Sequence, residues 1–124
     1  MDNNNNEFWE ALDELVRKSE IVIDRPKGTV HPKFPDFMYN VNYGYIKNTF
    51  SMDGGGIDVW VGSGEKQIDA IMCVVDLMKQ DSEIKILIGC TEEEKKLIYE
   101  THNKTSYMKG IMIRRYLTKN NDYN

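Results

Sequence analysis

Long apolar runs are missing from this sequence: no stretch approaches the ~20 consecutive apolar residues of a membrane-spanning helix. Basic charge is also scarce. Sixteen Lys and Arg against 20 Asp and Glu leave a net charge of -4, which argues against the concentrated positive field that nucleic-acid backbones require. The two cysteines, Cys73 and Cys90, fall inside apolar, strand-like segments and outside any metal-ligand spacing. They read as buried thiols, not as a disulfide framework or a zinc site. All three prolines lie between positions 26 and 35. Pro26-Lys27-Gly28 closes an early strand, and Pro32 and Pro35 exclude a central strand across residues 29 to 42. The opening Met1 to Asn6 has neither the basic nor the apolar region of a secretion signal, so a cytoplasmic location is expected.

What is present is ordinary for a folded domain: 40% apolar and 29% charged residues over 124 positions. The expectation is one domain over residues 7–117, with polar tails at 1–6 and 118–124. Phe8, Trp9, Leu12, Leu15 and Val16 recur with helical spacing and predict a docking helix. Strands are expected at Ile21 to Ile23, 43–50, Ile57 to Val61, 68–78, 84–90 and from Gly110 to Leu117. Thr91, with Glu94 three residues on, makes a capping box and predicts a second helix. Without helical crossovers between strands, this order predicts a mainly β fold, a curled or closed antiparallel sheet with two flanking helices.

Acids interrupt these apolar segments. Asp53 and Asp58 flank a run of three glycines, and Asp76 ends the apolar run Met72 to Val75. Strand alternation puts Asp81, Glu83 and Lys85 on one face while Ile84, Ile86 and Ile88 take the other. Carboxylates on a packed face must reach water or be compensated. Mg²⁺ would compensate them, since it takes oxygen ligands and is often shared with phosphate; solvated turn and face chemistry is the plainer reading. Tyr39, Tyr43 and Tyr45, with Lys33 and Lys47 nearby, read either as phosphate-binding phenols and cations or as a core rim with hydroxyls in water. His31 and His102 belong to no ligand motif.

The segment Asn42-Tyr43-Gly44-Tyr45-Ile46, followed by Ser51-Met52-Asp53-Gly54-Gly55-Gly56-Ile57-Asp58-Val59, resembles the centre of the soluble inorganic pyrophosphatases. Those proteins carry an Asn-Tyr-Gly-aromatic-Ile segment and an Asp-Gly-Asp-Pro-apolar-Asp signature. The resemblance implies a five-stranded OB-like barrel, several Mg²⁺ ions (Mn²⁺ as a substitute) and hydrolysis of inorganic pyrophosphate to two phosphates. It assigns metal binding to Asp53, Asp58, Asp81 and Glu83, catalytic roles to Asp53, Asp58, Asp81 and Tyr43, and substrate binding to Lys33, Tyr39, Lys85 and Lys104. It implies a small phosphate-containing substrate as partner and leaves homo-oligomerisation open; the net charge and the lack of long apolar runs argue against nucleic acid and membrane. The chain departs from the pattern in three places. Gly55 stands at the middle aspartate, Pro35 replaces a glutamate, and the hairpin bearing a phosphate-binding arginine is missing. Two alternatives to pyrophosphate turnover therefore stand: an impaired domain that binds a phosphate ligand or a protein partner, and a hydrolase of another small phosphoanhydride.

Overall fold

The computed structural model describes residues 4–51 and 54–116, with side chains described from residue 6. Elements follow in the order α1 (Asn4–Arg17), β1 (Ile21–Arg25), β2 (Asn42–Ile46), β3 (Ile57–Val61), β4 (Ile68–Asp76), β5 (Asp81–Ile88), α2 (Glu92–Thr101) and β6 (Met108–Arg114). The helix α1 thus starts at Asn4, and the expected carboxy-terminal tail lies outside the described residues.

The six strands form one sheet in the order β1-β2-β3-β5-β4-β6. Every pair is antiparallel except β3 with β5, where Val59, Trp60 and Val61 run alongside Ile86, Leu87 and Ile88. Alternation along the strands then builds a separate core on each face. On one face, Ile46, Val59, Ile71, Ile86 and Ile88 bury against Trp9 of α1, with Leu12 and Val16 alongside. A register shift between Ile68 and Ala70 lets Ile68 and Ile71 share that face. On the other, Trp60, Met72, Leu87 and Met112 pack with Ile98 of α2 and with Tyr39 and Val41 from the loop before β2. The apolar stripe of α1 is narrower than its sequence suggests, because Phe8 and Leu15 remain 43% and 36% exposed.

The sheet is open, which corrects the expected OB-like barrel. Closure would require an additional pairing between the two edge strands, β1 and β6, yet among the described residues each pairs with a single neighbour. The outer edge of β6 carries a plug: the Asn103 side chain accepts from Gly110 N (3.1 Å) and donates to Gly110 O (3.0 Å). An amide side chain mimics a neighbouring strand at that position and occupies the groups a closing strand would use. The described residues hold six strands, one more than the implied barrel, and the parallel β3–β5 pair makes the sheet mixed.

The helix α2 forms where the capping box predicts it. Thr91 Oγ1 accepts from Glu94 N at 3.1 Å, and Glu94 Oε1 accepts from Thr91 N at 2.9 Å. Glu94 also receives Ser63 N and Oγ, so this cap ties the β3–β4 connection to the helix. Burial pushes the Glu94 carboxyl upward, but these hydrogen bonds outweigh it and hold the group below its ordinary value.

Candidate active site

Lys85 is the centre of the polar face. Because β3 and β5 run parallel with Val59 beside Ile86, Asp58 and Lys85 are neighbours one residue earlier on the two strands. The Lys85 ammonium donates to Asp58 Oδ2 at 2.8 Å, to Tyr43 OH at 2.8 Å and to Glu83 Oε1 at 3.2 Å. Glu83 lies two residues along β5, on the same face, as the alternation of the sequence requires. The second oxygen of Glu83, Oε2, is buried with no hydrogen-bond partner. Burial raises the Glu83 carboxyl above its ordinary value; Lys85 opposes this and the neighbouring Asp58 reinforces it. Burial alone would drive the Lys85 proton off, yet Asp58 and Glu83 together hold the ammonium above its ordinary pKa.

Tyr43 is fixed as a phenol. Burial pushes its pKa well up, and the adjacent Asp58, which accepts its proton in a hydrogen bond, pushes it further. The hydroxyl therefore accepts from Lys85 and donates to Asp58, locking three side chains from β2, β3 and β5 together. Tyr39 stacks on Tyr43 with ring centroids 5.3 Å apart, and burial raises its pKa against the lowering effect of Arg25.

Beneath Tyr43 lie two residues to which the sequence gave no role. The Trp60 ring meets Tyr43 edge-on at 4.5 Å, and its Nε1 donates to His102 Nε2 at 3.1 Å. An indole N–H can only donate. His102 Nε2 must therefore be the bare nitrogen, with the proton on Nδ1 facing Met108 Sδ at 3.5 Å. Burial, with Lys85 nearby, depresses the His102 pKa to about 3. The strand spacing of Trp60, two residues beyond Asp58, was a signal that both share a face; nothing local in the sequence marks His102, which reaches the cluster only through the turn after α2.

The neutral His102 has a consequence for stability. Its pKa is lower folded than unfolded, so between about 6.5 and about 3 the unfolded chain binds a proton that the folded chain refuses. Stability falls as pH drops through that window, by at most ~1.4 kcal/mol per pH unit from this one group. His102→Gln keeps an acceptor for Trp60 and removes the titration. Urea denaturation at pH 7 and pH 5 is expected to show a smaller loss in the variant than in the natural chain.

These groups surround a cavity of about 270 Å³, lined among others by His31, Tyr39, Tyr43, Asp81, Glu83 and Lys85. Asp81 lies within 3.6 Å of Lys79, and Asp76 turns inward to accept from Met78 N and Lys79 N. Of the residues the resemblance singled out, the structure brings Tyr39, Tyr43, Asp81, Glu83 and Lys85 to this cavity, with Asp58 bonded beneath it. Lys33 and Lys104 line a neighbouring groove instead. Asp53 lies outside the described residues. Among the described residues, no three His, Cys, Asp or Glu side chains converge as a ready metal cage.

Fold and polar centre define a class, a small mixed-sheet protein with a charged pocket on one face of its sheet. The chain belongs to the inorganic pyrophosphatase family, whose model it matches over residues 16–120. Among solved structures it is similar to an inorganic pyrophosphatase from Neisseria gonorrhoeae, with 20% identity, a TM-score of 0.50 and coverage of 73% of this chain and 71% of that one. It is also similar to an inorganic phosphatase from Anaplasma phagocytophilum, with 14% identity, a TM-score of 0.52 and coverage of 76% and 81%. At these identities the likeness carries the fold. Comparison with curated protein sequences returned no match. Among the described residues no helix is long and apolar enough to cross a membrane.

Proposed function

We propose that the chain hydrolyses inorganic pyrophosphate with the help of a divalent cation, Mg²⁺ or Mn²⁺, in the cavity above Lys85. The observation that carries this reading is the partly buried Asp58–Lys85–Glu83 cluster. Two carboxylates share one ammonium, leaving one negative charge, and a buried Glu83 oxygen still lacks a partner. A hard cation fits that deficit, since it takes oxygen ligands. Asp58, Glu83 and Asp81 would hold it, with Asp53 contributing from the glycine turn, as the resemblance implies; the glycine at position 55 removes one further carboxylate. When bound, the cation supplies Lewis-acid polarisation of the phosphoanhydride.

The chain's own residues do the rest. Lys85 offsets charge that develops on the phosphate oxygens. Tyr43, kept protonated, orients Asp58, and Tyr39 closes the wall beside it. Lys79, exposed at the rim, adds a second cation toward the same opening. Phosphate release from pyrophosphate with Mg²⁺ or Mn²⁺ tests the reading. The Asp58→Asn variant is expected to lose about 100-fold or more, the scale of a catalytic carboxylate; an unchanged rate would sink the assignment.

A second reading, a domain that binds a phosphate ligand without turning it over, draws on the lack of a converged acid trio among the described residues and on Gly55. It predicts no phosphate release while calorimetry still detects imidodiphosphate, the analogue with a nitrogen bridge.

A further inference from the structure

Regular alternation along β1 would put Arg25 on the same face as Ile21 and Ile23. The strand does not alternate regularly. Ile21 pairs with Ile46 and Ile23 with Gly44, on the face that α1 covers. The register then shifts between Ile23 and Arg25, and Arg25 pairs with Tyr43, which belongs with Trp60 to the opposite face. Asp24 is the extra residue of this bulge, and a bulge re-aims the side chain that follows it. Arg25 is thereby sent to the face that carries the Lys85 cavity.

Its guanidinium acts on two residues that line that cavity, Tyr39 and His31. Burial raises the Tyr39 pKa, and Arg25 opposes this by its charge and by a side-chain hydrogen bond. Burial lowers the His31 pKa, and the charge of Arg25 lowers it further. Among the described residues no carboxylate forms an ion pair with Arg25. The lysines at the cavity already face acids: Lys85 meets Asp58 and Glu83, and Lys79 meets Asp81.

His31 adds a neutral donor beside it. Its Nδ1 accepts from Lys33 N at 3.0 Å, and a neutral imidazole that accepts at one nitrogen carries its proton on the other. Phe34, Phe37 and Tyr39 pack around the ring. The Nε2 proton has no hydrogen-bond partner among the described residues. An unpaired guanidinium, whose fork matches phosphate oxygens, thus stands next to an unpaired N–H.

We propose that Arg25 and His31 bind the second phosphate of the substrate, the one farther from Lys85. The proposal rests on the phosphoanhydride reading above and gives it two residues that neither spacing nor the resemblance marked.

Calorimetric titration of the full chain with Mg²⁺ and imidodiphosphate, alongside thermal unfolding, tests it. Arg25→Gln is expected to weaken binding about tenfold or more, the scale of a hydrogen bond to a charged group. His31→Asn keeps an acceptor for Lys33 N but loses the Nε2 donor, and should weaken binding about fivefold, as for a neutral hydrogen bond. Arg25→Lys keeps the charge without the fork and should recover part of the loss. Melting temperatures should stay within about 3 °C, as for substitutions outside the core. If the natural chain binds imidodiphosphate and either Arg25→Gln or His31→Asn binds it within about twofold as tightly, the inference falls and the pyrophosphatase reading survives. Loss of affinity that tracks loss of stability in all three variants would also overturn it, since both residues would then be structural. A natural chain that neither binds imidodiphosphate nor releases phosphate from pyrophosphate would overturn the inference together with the reading beneath it.

Discussion

Replacing Lys85 by methionine is expected to abolish phosphate release and to cost ~3–5 kcal/mol of stability, because removing one partner of a buried ion pair strands the other. In this chain two carboxylates are stranded. Asp58 and Glu83 bond to the same ammonium at 2.8 and 3.2 Å, and Glu83 is already held above its ordinary pKa by burial. Without the ammonium its proton affinity rises further. A carboxyl whose folded pKa exceeds its unfolded value adds stability that is fully present below the unfolded pKa and lost as pH rises through the folded one. The Lys85→Met deficit should therefore be deepest at neutral pH and shrink as pH falls toward the ordinary glutamate value. Chemical denaturation of both proteins between pH 7 and pH 5 checks this; a deficit that does not change with pH would show that lost packing, not stranded charge, is the cause. Lys85→Arg, which keeps the charge in a larger head group, should recover part of the stability at neutral pH.

Gly44→Ala is expected to be a severely damaging single-methyl change. Gly44 pairs with Ile23 across β1 and β2, next to an irregularity between Ile23 and Arg25. A Cβ built there would fall on the backbone carbonyl of Val22 and within 2.9 Å of Ile23 Cα. Backbone cannot swing aside as a side chain can, so β1 must separate from β2 at a cost of ~1–3 kcal/mol or more. The damage should spread to the site, because Tyr43 is the adjacent residue. Gly28 supplies the contrast. It adopts φ +93° but has open space around its missing Cβ, so Gly28→Ala pays only the left-handed conformation, ~1–2 kcal/mol. Thermal unfolding of the two variants, with hydrogen exchange of the β1 amides, separates collision from strain: only Gly44→Ala should accelerate exchange throughout β1. Similar exchange in both would refute the close-approach account.

That collision gives a physical reason for one letter of the segment that carried the family resemblance. Several other features were legible in the same way. The capping box fixed the start of α2, and the period of two along β5 put Glu83 and Lys85 on the face opposite Ile84, Ile86 and Ile88. Both depend on neighbours a few residues apart, within reach of local pattern. The barrel was not legible, because closure depends on which strands meet at the edges. Asn103 settles one of those edges by bonding to Gly110 seven residues away. The same limit hid the parallel contact of β3 with β5, and with it the pairing of Asp58 with Lys85, 27 positions apart.

The sequence by itself determined the family, the approximate places of the strands and of α2, and the shared face of Glu83 and Lys85, since spacing and turn chemistry act over short distances. Only the tertiary structure decided that the sheet stays open, that one ammonium binds two carboxylates and a phenol, and that His102 sits neutral under Trp60. Those outcomes depend on burial and on contacts between distant strands, where removal from water changes what a charge or a proton costs.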